Sequence, residues 1–259
     1  MPSDKFRLRF SKTGALRLLS HHDLMRCLER MCRRADLPFR MTQGFHPGPR
    51  IVLALPLPLG VEGVNEVCEI ELLAALDGDD VLRRINAQCP EGLAFHSPME
   101  IPLNRTATVR RAVYALKLPP NRIEAVKVAA DALLAQDQVW VERMHPSPRR
   151  TNIRQYLRSI RIHADAVEFD LWVTGQGTAR GDELVRLLNL SDLTATGDYL
   201  TRIDLELRDE TTTTDPEDQP PTAAPEIEHL SHAATPVADE TNDATRAVWG
   251  LSPHGPVVE

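Results

Sequence analysis

Polar and apolar residues alternate along Lys5–Phe10, the period of a strand with one buried face. The period then changes. Over Ser20–Ala35, Leu24, Cys27, Leu28, Met31 and Ala35 fall on one side of a helical projection, and Arg26, Arg30, Arg33 and Arg34 fall on the other. Strand patterns follow at Arg50–Leu55 and Glu66–Leu73, a helix at Asp79–Gln88 and a strand at Gly92–Ser97. The second half repeats this order with one extra strand. Arg110–Leu118 reads as a strand, and Asn121–Ala135 as a helix with Ile123, Val126, Ala130 and Leu133 inward. Strands at Val139–Arg143, Ile153–Ile162 and Ala166–Val173, a helix at Asp182–Leu188 and a strand at Tyr199–Leu207 complete it.

A βαββαβ order is the ferredoxin-like pattern, an antiparallel sheet with its helices on one face. The expected fold class is therefore α+β, with tandem ferredoxin-like units at 1–98 and 110–208. Pro98, Pro102 and Asn104 punctuate a linker at 99–109. Beyond Arg208 the chain is rich in Thr, Pro, Ala and acids and poor in large apolar residues, so 209–259 is expected to be a disordered acidic tail. Trp249-Gly250-Leu251 within it suits a short docking motif.

Charge divides the chain in the same places. Residues 1–50 hold 11 Lys/Arg against 4 Asp/Glu, residues 51–208 hold 18 against 22, and residues 209–259 hold 1 against 11. The overall −7 thus conceals a basic N-terminal segment, and local charge is the better guide to partners. Cys27, Cys32, Cys68 and Cys89 lack metal-site spacing, so reduced, buried thiols and no metal are expected. No apolar run spans a bilayer and MPSDKFRLRF lacks a signal-peptide core, which points to a cytoplasmic protein.

Four short stretches carry candidate chemistry. Ser20-His21-His22-Asp23 opens the first helix, with Ser20 as N-cap and Asp23 answering the cap and the dipole. His21 or His22 would then meet an anion at the positive helix end. Gln43–Arg50 packs Gly44, Pro47, Gly48 and Pro49 around Phe45, His46 and Arg50. Its open amides with His46 and Arg50 suit a phosphate, and Phe45 is either a stacking platform or a core residue. Leu55–Gly60 must lie at an edge or leave the sheet, because Pro56 and Pro58 donate nothing to a ladder, and Glu66 beyond it is suited to pair with an arginine that the sequence does not identify. Arg143–Arg161 is rich in arginine and free of acids. With Ile153–Ile162 as a strand, Arg154, Arg158 and Tyr156 share a face suited to phosphates and a stacked base, unless the charges only protect an edge strand.

RLRFSKTGALRLLSHHDLMRCLERMCRRADLPFRMTQGFHPGPRIVLALPLPLG resembles the bacterial radical SAM-linked family, a domain of unknown function. Its members are fused to, or encoded beside, a cobalamin-type radical S-adenosylmethionine protein. The resemblance rests on Lys12, Gly14, Arg17, Ser20, His21, Asp23, Leu24, Arg26, Arg33, Arg34, Leu37, Pro38, Gly44, Phe45, Pro47, Pro49, Pro56, Pro58 and Gly60. Met31 stands where alanine is usual and His22 where leucine is, so His21 is carried over and His22 is not. The match is specific over about the first 75 residues, diffuse to 208 and absent from the tail. It implies a radical SAM partner and an RNA or ribosomal target. The cluster cysteines of such an enzyme are missing, so no cofactor is expected in this chain.

The leading expectation is an RNA-binding accessory protein that works with a separate radical SAM enzyme on tRNA, rRNA or a ribosomal target. Lys12, Arg17, Arg26, Arg30, Arg33, Arg34, His46, Arg50, Arg149, Arg150, Arg154 and Arg158 would line one basic groove between the units. Ser20, Asp23, Gly44, Pro47, Pro56, Pro58 and Gly60 would be structural. One alternative is a metal-independent endoribonuclease with His21 as base and Lys12 or Arg17 steadying the phosphate. Another is a protein–protein adaptor without nucleic acid. No complete catalytic constellation is present, so the reading leans away from an enzyme. The acidic tail was also expected to fold over the basic groove.

Overall fold

The structure, a computed structural model, describes residues 4–211 and 218–230. Strand β1 (Lys5–Lys12) sends Phe6, Leu8 and Phe10 into an apolar cluster and turns Lys5, Arg7 and Arg9 to the opposite face, as alternation requires. Helix α1 (His21–Arg34) covers the apolar side with Leu24, Leu28, Met31 and Cys32. Completing the first set are β2 (Ile51–Leu53), β3 (Glu62–Glu71), α2 (Gly78–Asn86) and β4 (Leu93–Glu100). The first set pairs antiparallel in the order β4-β1-β3-β2.

The second set comprises β5 (Val109–Lys117), α3 (Ile123–Leu134), β6 (Trp140–Arg143), β7 (Arg149–Asn152), β8 (Leu157–Ile162) and β9 (Ala166–Thr174). It continues with β10 (Gly177–Thr178), α4 (Gly181–Leu187), α5 (Ser191–Ala195) and β11 (Thr201–Leu207), and a last strand, β12 (Ile227–His229), lies beyond it. In this set β11-β5-β9-β8 are neighbours, again antiparallel. β11 also meets β3 in parallel at Thr201–Glu62 and Arg202–Gly63, so the strands form one nine-stranded sheet. A separate three-stranded sheet is ordered β12-β7-β6. The architecture is mixed α+β with mostly antiparallel sheets. Its buried apolar side chains fall into two clusters, one around β1, α1 and α2, the other around β5, β9, β11, α3 and α4.

Ion pairs and polar hydrogen bonds fill the sheet face opposite the helices. Arg7 bonds Glu69 and Asp209, Asn65 bonds Asp204, and Arg111 bonds Glu206 and Asp170. The register slips between Glu206 and Leu207, leaving Arg110 as an extra residue, and Arg110 and Arg111 both reach Glu206.

Two expectations are corrected. The strand foreseen over Ile153–Ile162 is broken by a 3-10 turn at Arg154–Tyr156. Asn152 Oδ1 accepts from Val139 N at 3.0 Å and Arg154 N at 3.1 Å, and this Asx-type closure bends the chain. Tyr156 is 0% exposed in the core, so it offers no stacking surface and shares no strand face with Arg154 and Arg158. The disorder expected from residue 209 does not hold at 209–211 or 218–230, which bond the sheets through Arg7, Arg110 and β7. Residues 212–217 and 231–259, with Trp249-Gly250-Leu251, lie outside the described residues. Among the described residues no helix is long and apolar enough to cross a membrane.

Candidate nucleic-acid interface

The start of α1 is fixed by Ser20, whose Oγ accepts from Asp23 N at 3.2 Å and donates to Asp23 Oδ2 at 2.7 Å. Asp23 thus completes the cap through the Ser20 hydroxyl rather than the cap backbone. With the apolar stripe buried, Arg26, Arg30, Arg33 and Arg34 are all exposed, as are His21 and His22. Their compensation is slight. Arg26 meets Asp23 at 3.6 Å with both side chains largely in water, and Arg34 donates to the Gln88 carbonyl at 3.3 Å. Neither Arg30 nor Arg33 has an ion-pair partner among the described residues.

The Gly/His/Pro loop lies against this helix. Thr42 N donates to Gly48 O at 2.8 Å and Gly48 N to Thr42 Oγ1 at 3.1 Å, which closes a seven-residue loop; Met41 bridges Pro49 at its base. Gly44 takes φ +143°, a conformation side chains resist. At Gly48 a Cβ would come within 3.3 Å of the Glu29 carboxylate on α1, so glycine permits the close approach. Phe45 at the tip is 101% exposed, and His46 beside it is exposed too. Of the two roles open to Phe45, the core is excluded. Arg50, at the loop's exit, bonds Glu71 at 2.9 Å and keeps half its side chain in water.

Other predicted positions are held elsewhere. Lys12 is 1% exposed and donates to Leu19 O at 3.2 Å, a correction to its assignment as a phosphate contact. Burial lowers its pKa, with Glu66 opposing and Arg202 adding to the shift. The partner Glu66 called for is Arg202, 136 positions away: Nε meets Oε1 at 2.8 Å, and Nη1 and Nη2 reach the Pro56 and Leu55 carbonyls. Burial alone would lower the pKa of Arg202, yet Glu66 and the Tyr114 hydroxyl raise it above the ordinary guanidinium value. Pro56 and Pro58 thus set an exit whose carbonyls clamp the two halves together. Arg17 stacks 3.8 Å above the Tyr199 ring and donates to Gly14 O, while its carbonyl accepts from Gly60 N. Arg17, Leu59, Gly60, Tyr199 and Leu200 border a cavity of about 470 Å³.

The arginines of the fourth stretch have internal partners, and every carboxylate among them lies outside the stretch. Arg143 bonds Glu183, Arg150 bonds Glu228, Arg158 bonds Asp170 and Asp218, and Arg161 bonds Glu168. Arg154 donates to the carbonyls of Leu134 and Gln136 at the end of α3, and Arg149 to those of His145 and Ser147. Arg158 meets Asp170 on the sheet face opposite α1, so the expected single groove is corrected: the two basic stretches face different ways.

The cysteines are free, and burial pushes the thiol of Cys32 up to about 12 and that of Cys89 up to about 11, which makes both poor ligands. Among the described residues no group of three or more His, Cys, Asp or Glu side chains is placed to hold a metal ion.

The sequence places this geometry in a family. Residues 5–182 match the uncharacterized proteins conserved in bacteria, DUF2344. The chain belongs to that family. Its matched span contains α1, the Phe45 loop and the proline exit, and ends before Tyr199 and Arg202. No curated protein is found to match the chain.

Proposed function

We propose that this DUF2344 protein binds single-stranded RNA on the face formed by α1 and the 42–48 loop, as an accessory to a separate radical SAM enzyme in the cytoplasm. Arg26, Arg30, Arg33 and Arg34 take the phosphates, and Phe45 stacks on a base beside His46. One observation carries the reading: a wholly exposed aromatic ring on a closed loop against a helix face with unpaired arginines. Neither feature serves the core. Each half's strand order also suits a ferredoxin-like unit, which supports reading the protein as a tandem of two with α1 on the helical side.

Fluorescence anisotropy with a labelled oligouridylate tests this. Three to four phosphates neutralised on a single strand give a logarithmic salt slope of about −2 to −3, a loss of about 15- to 60-fold between 50 and 200 mM salt. The Arg30→Glu/Arg33→Glu variant is expected to bind at least tenfold more weakly while keeping its melting temperature. Unchanged affinity in that variant overturns the reading.

A further inference from the structure

The acidic segment after the second set of strands occupies a second basic surface, and its manner of attachment is informative. β12 pairs antiparallel with β7, Ile227 opposite Thr151 and His229 opposite Arg149, and Asn152 N and Leu230 N close the ladder at 2.9 and 3.1 Å. Glu228 meets Arg150 at 3.2 Å, and Arg150 lies 5.4 Å from the Trp140 ring centroid. Asp218 meets Arg110 at 2.9 Å and Arg158 at 2.8 Å, and those two guanidiniums flank Trp172 at 4.8 and 5.4 Å. Carboxylates therefore sit where guanidiniums and indoles converge, the combination that holds a phosphate beside a stacked base.

The attachment fully buries none of its own apolar side chains: Ile227 and Leu230 are exposed, and Pro220, Pro221 and Pro225 are only partly covered. It rests on main-chain pairing at a sheet edge, on the Glu228–Arg150 pair, which is open to water and screened by salt, and on the Asp218 pairs with the buried Arg110 and the part-buried Arg158. A segment needed for the fold would anchor itself by apolar burial.

We propose that residues 218–230 are an internal stand-in for RNA, covering a second RNA-binding surface on Trp140, Arg150, Arg110, Arg158 and Trp172 until a strand of RNA displaces them. This deepens the reading of the α1 face and rests on it for the identity of the ligand, but the surface is separate from α1. Displacement exchanges carboxylates for phosphates on the same guanidiniums and breaks no covalent bond.

The test uses the full chain and a labelled 20-nucleotide oligouridylate, in the native background and in Arg30→Glu/Arg33→Glu. Two kinds of release are compared: Leu230→Pro, which removes the Leu230 N–H bond to the Pro148 carbonyl without changing charge, and Asp218→Asn/Glu228→Gln, which removes the ion pairs. Both are expected to tighten binding about tenfold in either background. Saturating RNA is expected to speed amide exchange at Glu228 and Leu230, whose N–H groups face β7, in the native chain. Tightening by the charge-removing variant alone, with Leu230→Pro inert, overturns the stand-in and leaves only a change of net charge. Native binding that depends on Arg30 and Arg33 but ignores both releases overturns the inference while the α1 reading stands. Tightening by both releases with no effect of Arg30→Glu/Arg33→Glu supports the second surface and overturns the α1 reading. No binding by any variant overturns both.

Discussion

At the scale of single residues, Phe45 and Arg202 mark opposite extremes. Phe45 has no neighbours to lose, so Phe45→Ala is expected to shift unfolding stability by less than about 0.5 kcal/mol in urea titration. The same change is expected to cost about 1–3 kcal/mol of RNA affinity, as loss of one stacked base does. A stability loss without an affinity loss contradicts its assignment. Arg202 is sealed against Glu66, and Arg202→Met strands a buried carboxylate, at an expected cost of about 3–5 kcal/mol. Most of that returns in Arg202→Met/Glu66→Leu, because replacing both partners leaves neither charge of the pair stranded. A double variant as unstable as the single one contradicts this account of the junction. The sequence marked Glu66 as needing a partner but could not name one: the answer lies on β11, and local patterns carry no information over 136 positions.

Among the elements, legibility followed the range of the forces involved. The α1 helix and β1 were readable because their faces obey 3.6- and 2-residue periods and their caps are local. β8 was overextended because the break at Arg154–Tyr156 depends on the Asn152 side chain closing a turn that periodicity does not register. β12 was missed because no apolar pattern holds it; its partner strand lies 78 positions back. Its acids give a pH signature. Donation by Arg110 holds the Asp218 carboxyl below the usual carboxylate range, and donation by Arg7 does the same for Asp209. Lowered folded pKa values add stability above the ordinary carboxylate value of about 3.9, lost as pH falls through the depressed values. Attachment of both residues is thus expected to be constant from about pH 8 to 5 and to weaken below about pH 4, followed by NMR shifts of the two carboxyls. Release centred near neutral pH contradicts the ion-pair account.

For the whole molecule, net charge misleads and surface charge informs. The N-terminal excess of arginine was plain in the sequence and survives folding on α1, whereas the equally basic run at Arg143–Arg161 is neutralised by Asp170, Glu168, Glu183, Asp218 and Glu228. Its stretch looks free of acids because the carboxylates that pair with its arginines all lie outside it, from seven to 78 positions along the chain. Family membership spans both regions, and the α1 face joins several uncompensated arginines to a wholly exposed aromatic ring. The most direct test is zero-length ultraviolet crosslinking of oligouridylate to the full chain, with the adducts located by mass spectrometry. Adducts on the Phe45 loop that vanish in Phe45→Ala are the predicted result; RNA bound and crosslinked solely at sites away from α1 and residues 42–48 contradicts it.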